Sequence, residues 1–362
     1  MSLKRMSRKW MYTRQHINLA ILLSIIFSPG WAMADGMFDT DAPLKIALEA
    51  DFTGMEEARD KALEYPGTLT IDTLTNPIAL PVELSLRGVS RLKTSNCRYP
   101  PLRVDFKKSE HKAATPFAGE GDMKLVVQCG NGSKYVDYLR TEFLIYKLLN
   151  KITPLSYRVR WVEIAYNESG ESGESKINVR PGFFVEQKKN LARRNNLKPA
   201  NEVKEIFHSQ LNVSQAALLE HFQFLIGNTD YSLVQSNDPD ECCHNAKLLR
   251  VEDADEQMPY TPIIYDFDST GLVNTAYSAP AALLGIERVT QRLYRGACRD
   301  PAIMESARSK LLQHQAALTD LIKTDPLLRS GKKKSAVNYL KRGFDLFALE
   351  KRYQRFILGK CF

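Results

Sequence analysis

The alternation of apolar and polar positions divides the chain into a strand-rich stretch followed by a helix-rich one. Short runs at 44–52, 82–87, 102–106 and 123–129, separated by Pro and Gly turns, predict strands, and only 55–63 reads as helix among them. From Tyr135 the period changes. Val136, Leu139, Phe143, Tyr146, Leu149 and Ile152 recur at helical spacing and predict an amphipathic helix over 135–152 with one buried face. Strands are predicted at 157–166 and 182–186, joined by a hydrophilic Glu-Ser-Gly tract over 167–175 that reads as a hairpin tip with no chemistry of its own. Beyond it, Ser214 is placed to cap a helix carrying Leu218, Leu219, Phe222 and Leu225 and ending at Gly227. Further long helices are predicted over 303–322 and 336–356, and there is no internal repeat.

That order defines an α+β chain. It predicts a two-lobed protein-kinase-like fold, with a sheet-rich N-lobe over 35–185 that carries one long helix and a mainly helical C-lobe over 186–362. An apolar content of 44% suffices for a buried core.

The first 34 residues stand outside this scheme. Lys4, Arg5, Arg8, Lys9 and Arg14 precede an apolar stretch over 17–27, Pro29 and Gly30 break it, and Ala32-Met33-Ala34 is a small-x-small cleavage pattern before Asp35. A secretory signal peptide is expected, with a periplasmic or secreted product and no later membrane span. Taking those five basic residues from the formal +8 leaves +3, too weak a charge to point to nucleic acid. Six cysteines in an exported chain predict disulfides: Cys97 with Cys129, and Cys298 with Cys242 or Cys243. No C-x-x-C pair supports zinc.

The chemistry concentrates between Gly227 and Gly271. Gly227-Asn228-Thr229-Asp230 follows a helix end, His244-Asn245 opens an apolar run, and Ile263-Ile264-Tyr265 leads into Asp266-Phe267-Asp268. Phosphoryl transfer needs such a set: a carboxylate to take the acceptor's proton, and oxygen ligands for a divalent ion on the nucleotide phosphates. Asp230 is the candidate base, Asn245 and Asp266 are the candidate ligands of Mg2+ or Mn2+, and Asp268 assists them or caps the next turn. His244 is expected to be structural. On the strand side Lys124 is the candidate phosphate contact of ATP, with Glu142 on the following helix as its ion-pair partner and Lys107 and Lys108 as competitors.

The succession Arg87-Gly88-Val89-Ser90, Pro101-Leu102-Arg103-Val104-Asp105-Phe106-Lys107, Tyr138-Leu139-Arg140-Thr141-Glu142, Gly182-Phe183-Phe184-Val185-Glu186, Gly227-Asn228-Thr229-Asp230, His244-Asn245 and Tyr265-Asp266-Phe267-Asp268 resembles the spore-coat CotH family of atypical protein kinases, and more distantly the HipA-type kinases. The resemblance spans about residues 82–271. It implies ATP, a divalent metal and a protein acceptor, with Asp230, Asn245 and Asp266 in the active site.

Two other readings use the same residues. Asp266-Phe267-Asp268-Ser269-Thr270 after an apolar strand also fits the haloacid-dehalogenase phosphatase pattern, but no alternating strands follow to build its parallel sheet. A catalytically inactive kinase-like protein, serving as an envelope scaffold or binding module, is the other. No G-x-S-x-G element supports a serine hydrolase.

Overall fold

The computed structural model describes residues 36–71, 77–106, 109–169, 178–236, 242–251 and 259–362. The proposed signal peptide, the tract at 170–175, and Lys107 and Lys108 lie outside the described residues.

The first half closes on itself. Strand β1 (Leu44–Ala50) leads through α1 (Phe52–Ala58) to β2 (Tyr65–Ile71) and β3 (Ile78–Leu86), followed by β4 (Leu102–Asp105) and β5 (Asp122–Val127). Helix α2 (Ser133–Ile152) then crosses to β6 (Val159–Glu168), and β7 (Asn178–Val185) completes the set. The strands join in the order β1-β2-β3-β4-β5-β7-β6, and β6 pairs in parallel with β1 from Leu44↔Val162 to Ala50↔Glu168.

This closure corrects the two-lobed kinase-like expectation. The strand-rich half is a closed seven-stranded mixed barrel, and Ala34–Phe362 forms one compact unit. The missing information was non-local: alternation within each strand reports which face is buried, and says nothing of β1 finding β6 more than a hundred residues away.

Alternation does explain the two sides of the barrel wall. Leu48, Leu69, Leu84, Val104, Leu125, Val162 and Phe184 point inward and form one apolar cluster with Phe106 and Phe117. Their neighbours Val126, Trp161 and Phe183 point outward and join a second cluster with the buried face of α2. Over 125–127, 161–162 and 183–185, strands β5, β6 and β7 are therefore apolar on both faces, because α2 covers them there from outside.

The remaining elements extend that outer cluster. They are α3 (Lys188–Arg194), β8 (Lys198–Ala200), α4 (Val213–Ile226), β9 (Ala246–Arg250), β10 (Thr261–Ile264), α5 (Pro301–Gln313), α6 (Gln315–Lys323), α7 (Ser330–Ala348) and the single turn α8 (Glu350–Tyr353). Strands β8, β9 and β10 make a separate antiparallel sheet. Helix α4 is buried from Gln215 to Ile226, and Asn212 caps it by accepting the Gln215 N–H at 3.0 Å, two residues before the expected Ser214. Its end at Gly227 has φ +67, and a Cβ there would collide with the Tyr339 hydroxyl, so glycine is required on both counts.

Three cysteine pairs lie at disulfide distance: Cys97–Cys129, Cys242–Cys243 and Cys298–Cys361. The first matches the sequence reading. The partner of Cys298 is Cys361 at the C-terminal end, and the two adjacent cysteines face each other, so the expected bond from Cys298 to that pair is corrected. Among the described residues no helix is long and apolar enough to cross a membrane.

Candidate functional site

Strands β9 and β10 assemble the polar residues. Their antiparallel register pairs Ala246 with Ile264, so Asn245 and Tyr265 face each other one step further on, and the Tyr265 N–H donates to the Asn245 carbonyl at 3.1 Å. Both strands leave the sheet here through left-handed backbone, Asn245 at φ +51 and Asp266 at φ +63. Asn and Asp tolerate that region better than other residues with a Cβ, and strain of this kind concentrates at functional sites.

Asp230 arrives from the turn after α4. The Asn228 side-chain oxygen accepts the Asp230 N–H at 2.8 Å, which fixes the turn, and Asn228 in turn donates to Gln223 at 3.0 Å. The Asp230 carboxylate meets His244 Nε2 at 2.7 Å and Asn245 Nδ2 at 3.3 Å, and Asn245 Nδ2 also donates to the Asp230 carbonyl at 2.7 Å. Asp230, His244 and Asn245 thus form one hydrogen-bonded group with half of the Asp230 side chain exposed. The hydrogen bond from Asp230 raises the His244 pKa above its usual value.

Asp266 and Asp268 flank Phe267, whose ring packs edge-on against Tyr146 of α2 at 4.7 Å. The Tyr146 hydroxyl accepts the Asp266 N–H at 3.0 Å, so helix α2 and the end of β10 are held together at this point. Asp268 is the more deeply buried of the two carboxylates, and its Oδ2 accepts the Tyr277 hydroxyl at 2.8 Å.

The expected ion pair between Lys124 and Glu142 does not form. Glu142 is bound by Arg91, with Nη2–Oε1 at 3.3 Å and Nη1–Oε2 at 3.4 Å. The same guanidinium reaches Asp266 Oδ1 from Nη2 at 2.7 Å and Asp268 Oδ2 from Nε at 3.0 Å. Lys124 instead places its ammonium 4.3 Å from the Tyr265 ring centroid, a cation–π contact on the residue beside Asp266. Burial, reinforced by the positive charge of Arg87, lowers the Lys124 pKa to about 7. Burial likewise lowers the Arg87 pKa, opposed by the attraction of Asp266.

The carboxylates respond according to depth. Burial pushes Glu142 up to about 8 against the pull of Arg91. It also raises Asp268, helped by the negative charge of Asp266. Asp266 feels the same desolvation, but Arg91, Arg87 and Lys124 together outweigh it and hold its carboxyl below the usual range. The site therefore keeps one firmly ionised carboxylate, that of Asp266, beneath two cations that form no ion pair among the described residues.

Beside Lys124 opens a cleft of about 310 Å³ lined by Tyr157, Val185, Glu186, Lys188 and Lys247 among others. Its volume is at the lower end for a small-molecule site. A separate cavity of about 480 Å³, at the end of the barrel near Tyr99 and Tyr166, contains none of these residues.

The donor set does not fit a divalent ion. Asp266 Oδ1, Asp268 Oδ2 and both Glu142 oxygens face a guanidinium, and among the described residues no three His, Cys, Asp or Glu side chains converge where they could hold a metal. Asn245 donates its amide nitrogen to Asp230, to the carbonyl at 2.7 Å and to the carboxylate at 3.3 Å. Arg91 is the residue that sequence reading missed. In a loop of Gly, Ser and Lys, an arginine reads as solvated, and its only signal is the spacing of four from Arg87 across a glycine.

The chain matches no protein-family model, no curated protein and no solved structure.

Proposed function

We propose that the protein is an exported phosphotransferase that takes ATP and passes its terminal phosphoryl group to a hydroxyl of a protein or small-molecule acceptor. The observation that carries this reading is the junction of the Asp230–His244–Asn245 group with Asp266, Lys124 and Arg87 at one end of the β9–β10 sheet. Lys124 and Arg87 lie near Asp266, form no ion pair among the described residues and would meet the phosphate oxygens, while the adjoining cleft would take the base and ribose.

The chemistry follows from those placements. Asp230 accepts the proton of the acceptor hydroxyl, whose oxygen forms a bond to the γ-phosphorus while the bond to the β,γ-bridging oxygen breaks and ADP leaves with that electron pair. Asn245 and His244 orient the base, each through one of its two carboxylate oxygens. The cysteine pairs and the absence of a spanning helix among the described residues are compatible with an oxidising compartment outside the cytoplasm.

A second reading, nucleotide binding without transfer, is favoured by Arg91 filling the acidic pocket. One experiment separates the two. The disulfide-intact chain from residue 35 onward is incubated with γ-labelled ATP, alone and with Mg2+ or Mn2+, beside Asp230→Ala and Asp266→Ala. Label transfer lost in both variants supports the enzyme, binding of ATP without transfer supports the binding protein, and absence of nucleotide binding refutes both.

A further inference from the structure

We infer that Arg91 is the resident cation of this site, standing where a divalent ion would have to sit, so that the phosphate ligand is held without a metal. This rests on the reading of the site as a phosphate site and adds the identity of its cation.

The position is built by the backbone. Strand β3 ends at Leu86, Gly88 turns the chain at φ +97, and the short 3-10 turn Ser90–Leu92 brings Arg91 back beneath the end of β10. Its side chain is only 10% exposed. Arg59 holds this loop from the other side by donating from Nη1 to the carbonyls of Leu92 at 3.0 Å and Cys97 at 2.9 Å, so the turn is fixed at its far edge as well.

The three guanidinium nitrogens together meet three carboxylates, Nη1 and Nη2 by hydrogen bonds and Nε by a charge contact. Nε serves Asp268, Nη2 serves Asp266 and one Glu142 oxygen, and Nη1 serves the other Glu142 oxygen. A planar fork matches such a set, and arginine cannot release its proton to make room for another cation. Mg2+ needs near-octahedral oxygens at about 2.0–2.1 Å. With the guanidinium plane among Glu142, Asp266 and Asp268, those oxygens point at Arg91 and cannot also close around an ion. Arg91 spans the barrel loop, helix α2 and the end of β10, which is the bridging task a metal would otherwise perform. Arg87 and Lys124 remain to contact the phosphates directly.

The test uses the full disulfide-intact chain from residue 35 onward, with Mn2+ as the probe in a titration followed by the electron paramagnetic resonance of the free ion. Wild type and D266N are expected to bind no Mn2+ at this site, whereas R91M, with its carboxylates uncovered, binds one ion per chain at concentrations where wild type binds none. The double variant R91M/D266N loses it. In parallel, calorimetry is expected to give the same ATP affinity within about threefold in EDTA and in Mg2+, a difference below 1 kcal/mol. A wild-type Mn2+ site abolished by D266N, or ATP binding that disappears in EDTA, overturns the inference. Should R91M fail to fold, the wild-type and D266N titrations decide alone. Failure to bind ATP under either condition refutes the phosphate reading, while the Mn2+ titrations still judge Arg91.

Discussion

The ion pair between Arg140 and Asp325 sets a measurable part of the stability and, through α2, of the site. Arg140 donates from Nε to both Asp325 oxygens at 3.2 and 3.0 Å and from Nη2 at 2.6 Å, with side-chain exposures of 10% and 3%. Asp325 Oδ1 also accepts the N–H groups of Leu327 and Leu328 at 3.1 and 2.9 Å, so it caps the turn between α6 and α7. Arg140 lies over Phe143 and Trp161 at 4.5 and 4.6 Å. Asp325→Ala strands a buried guanidinium and frees two backbone donors. Breaking a buried pair costs about 3–5 kcal/mol, and the lost cap adds about 1 kcal/mol before relaxation. Urea denaturation of the disulfide-intact chain, followed by far-UV circular dichroism and by the fluorescence of nearby Trp161, measures the loss. Replacing both partners with apolar residues, as R140M/D325L, should recover most of the ion-pair cost, because neither charge is then buried alone. Asp122→Asn is the control: its pair with Arg103 is half-exposed, and it should lose under about 1 kcal/mol. A D325A loss no larger than that of D122N, or a double variant as unstable as D325A, would refute the reasoning.

Three further outcomes are expected. Folded Lys124 titrates near 7 and unfolded lysine above 10, so the unfolded state holds the extra proton between them and wild type should gain stability over K124M as pH rises from 7 to 10; a flat difference in denaturation midpoint excludes the buried, depressed lysine. His244 has a raised folded pKa, so its contribution is complete below the ordinary value near 6.5 and is lost as pH climbs through the raised one; the melting-temperature gap between wild type and H244Q should therefore be widest in mild acid and close in alkali. The Cys298–Cys361 bond ties residues 63 apart, and C298A/C361A should lose about 4 kcal/mol by the chain-entropy relation, with unchanged stability marking the bond as dispensable.

Local periodicity was legible where burial is one-sided. The α2 pattern over 135–152 becomes a helix over Ser133–Ile152, and the runs near 44, 102 and 123 become β1, β4 and β5. Strand β2 escaped because Pro66 and Gly67 read as turn residues, yet its partners on both sides supply the hydrogen bonding that local propensity does not. The expected helix over 303–322 is interrupted at His314 between α5 and α6, with no Pro or Gly to announce it. At the site, positions at the ends of apolar elements, a helix for Asp230 and strands for Asn245 and Asp266, exposed them as candidates, since a polar residue beside an apolar run must be turned toward solvent or partners. Glu142 was placed with the wrong cation because pairing depends on reach across the fold. Arg91 reaches it from the loop after β3, and its planar fork satisfies three carboxylates at once.

The parallel seam between β1 and β6 gives the first strand a protective duty out of proportion to its seven residues. Without it, β2 and β6 would each present an unpaired row of amides and carbonyls to other chains, and such open margins template aggregation. A form of the chain shortened past Ala50 should therefore self-associate in solution even with every residue of the polar site intact.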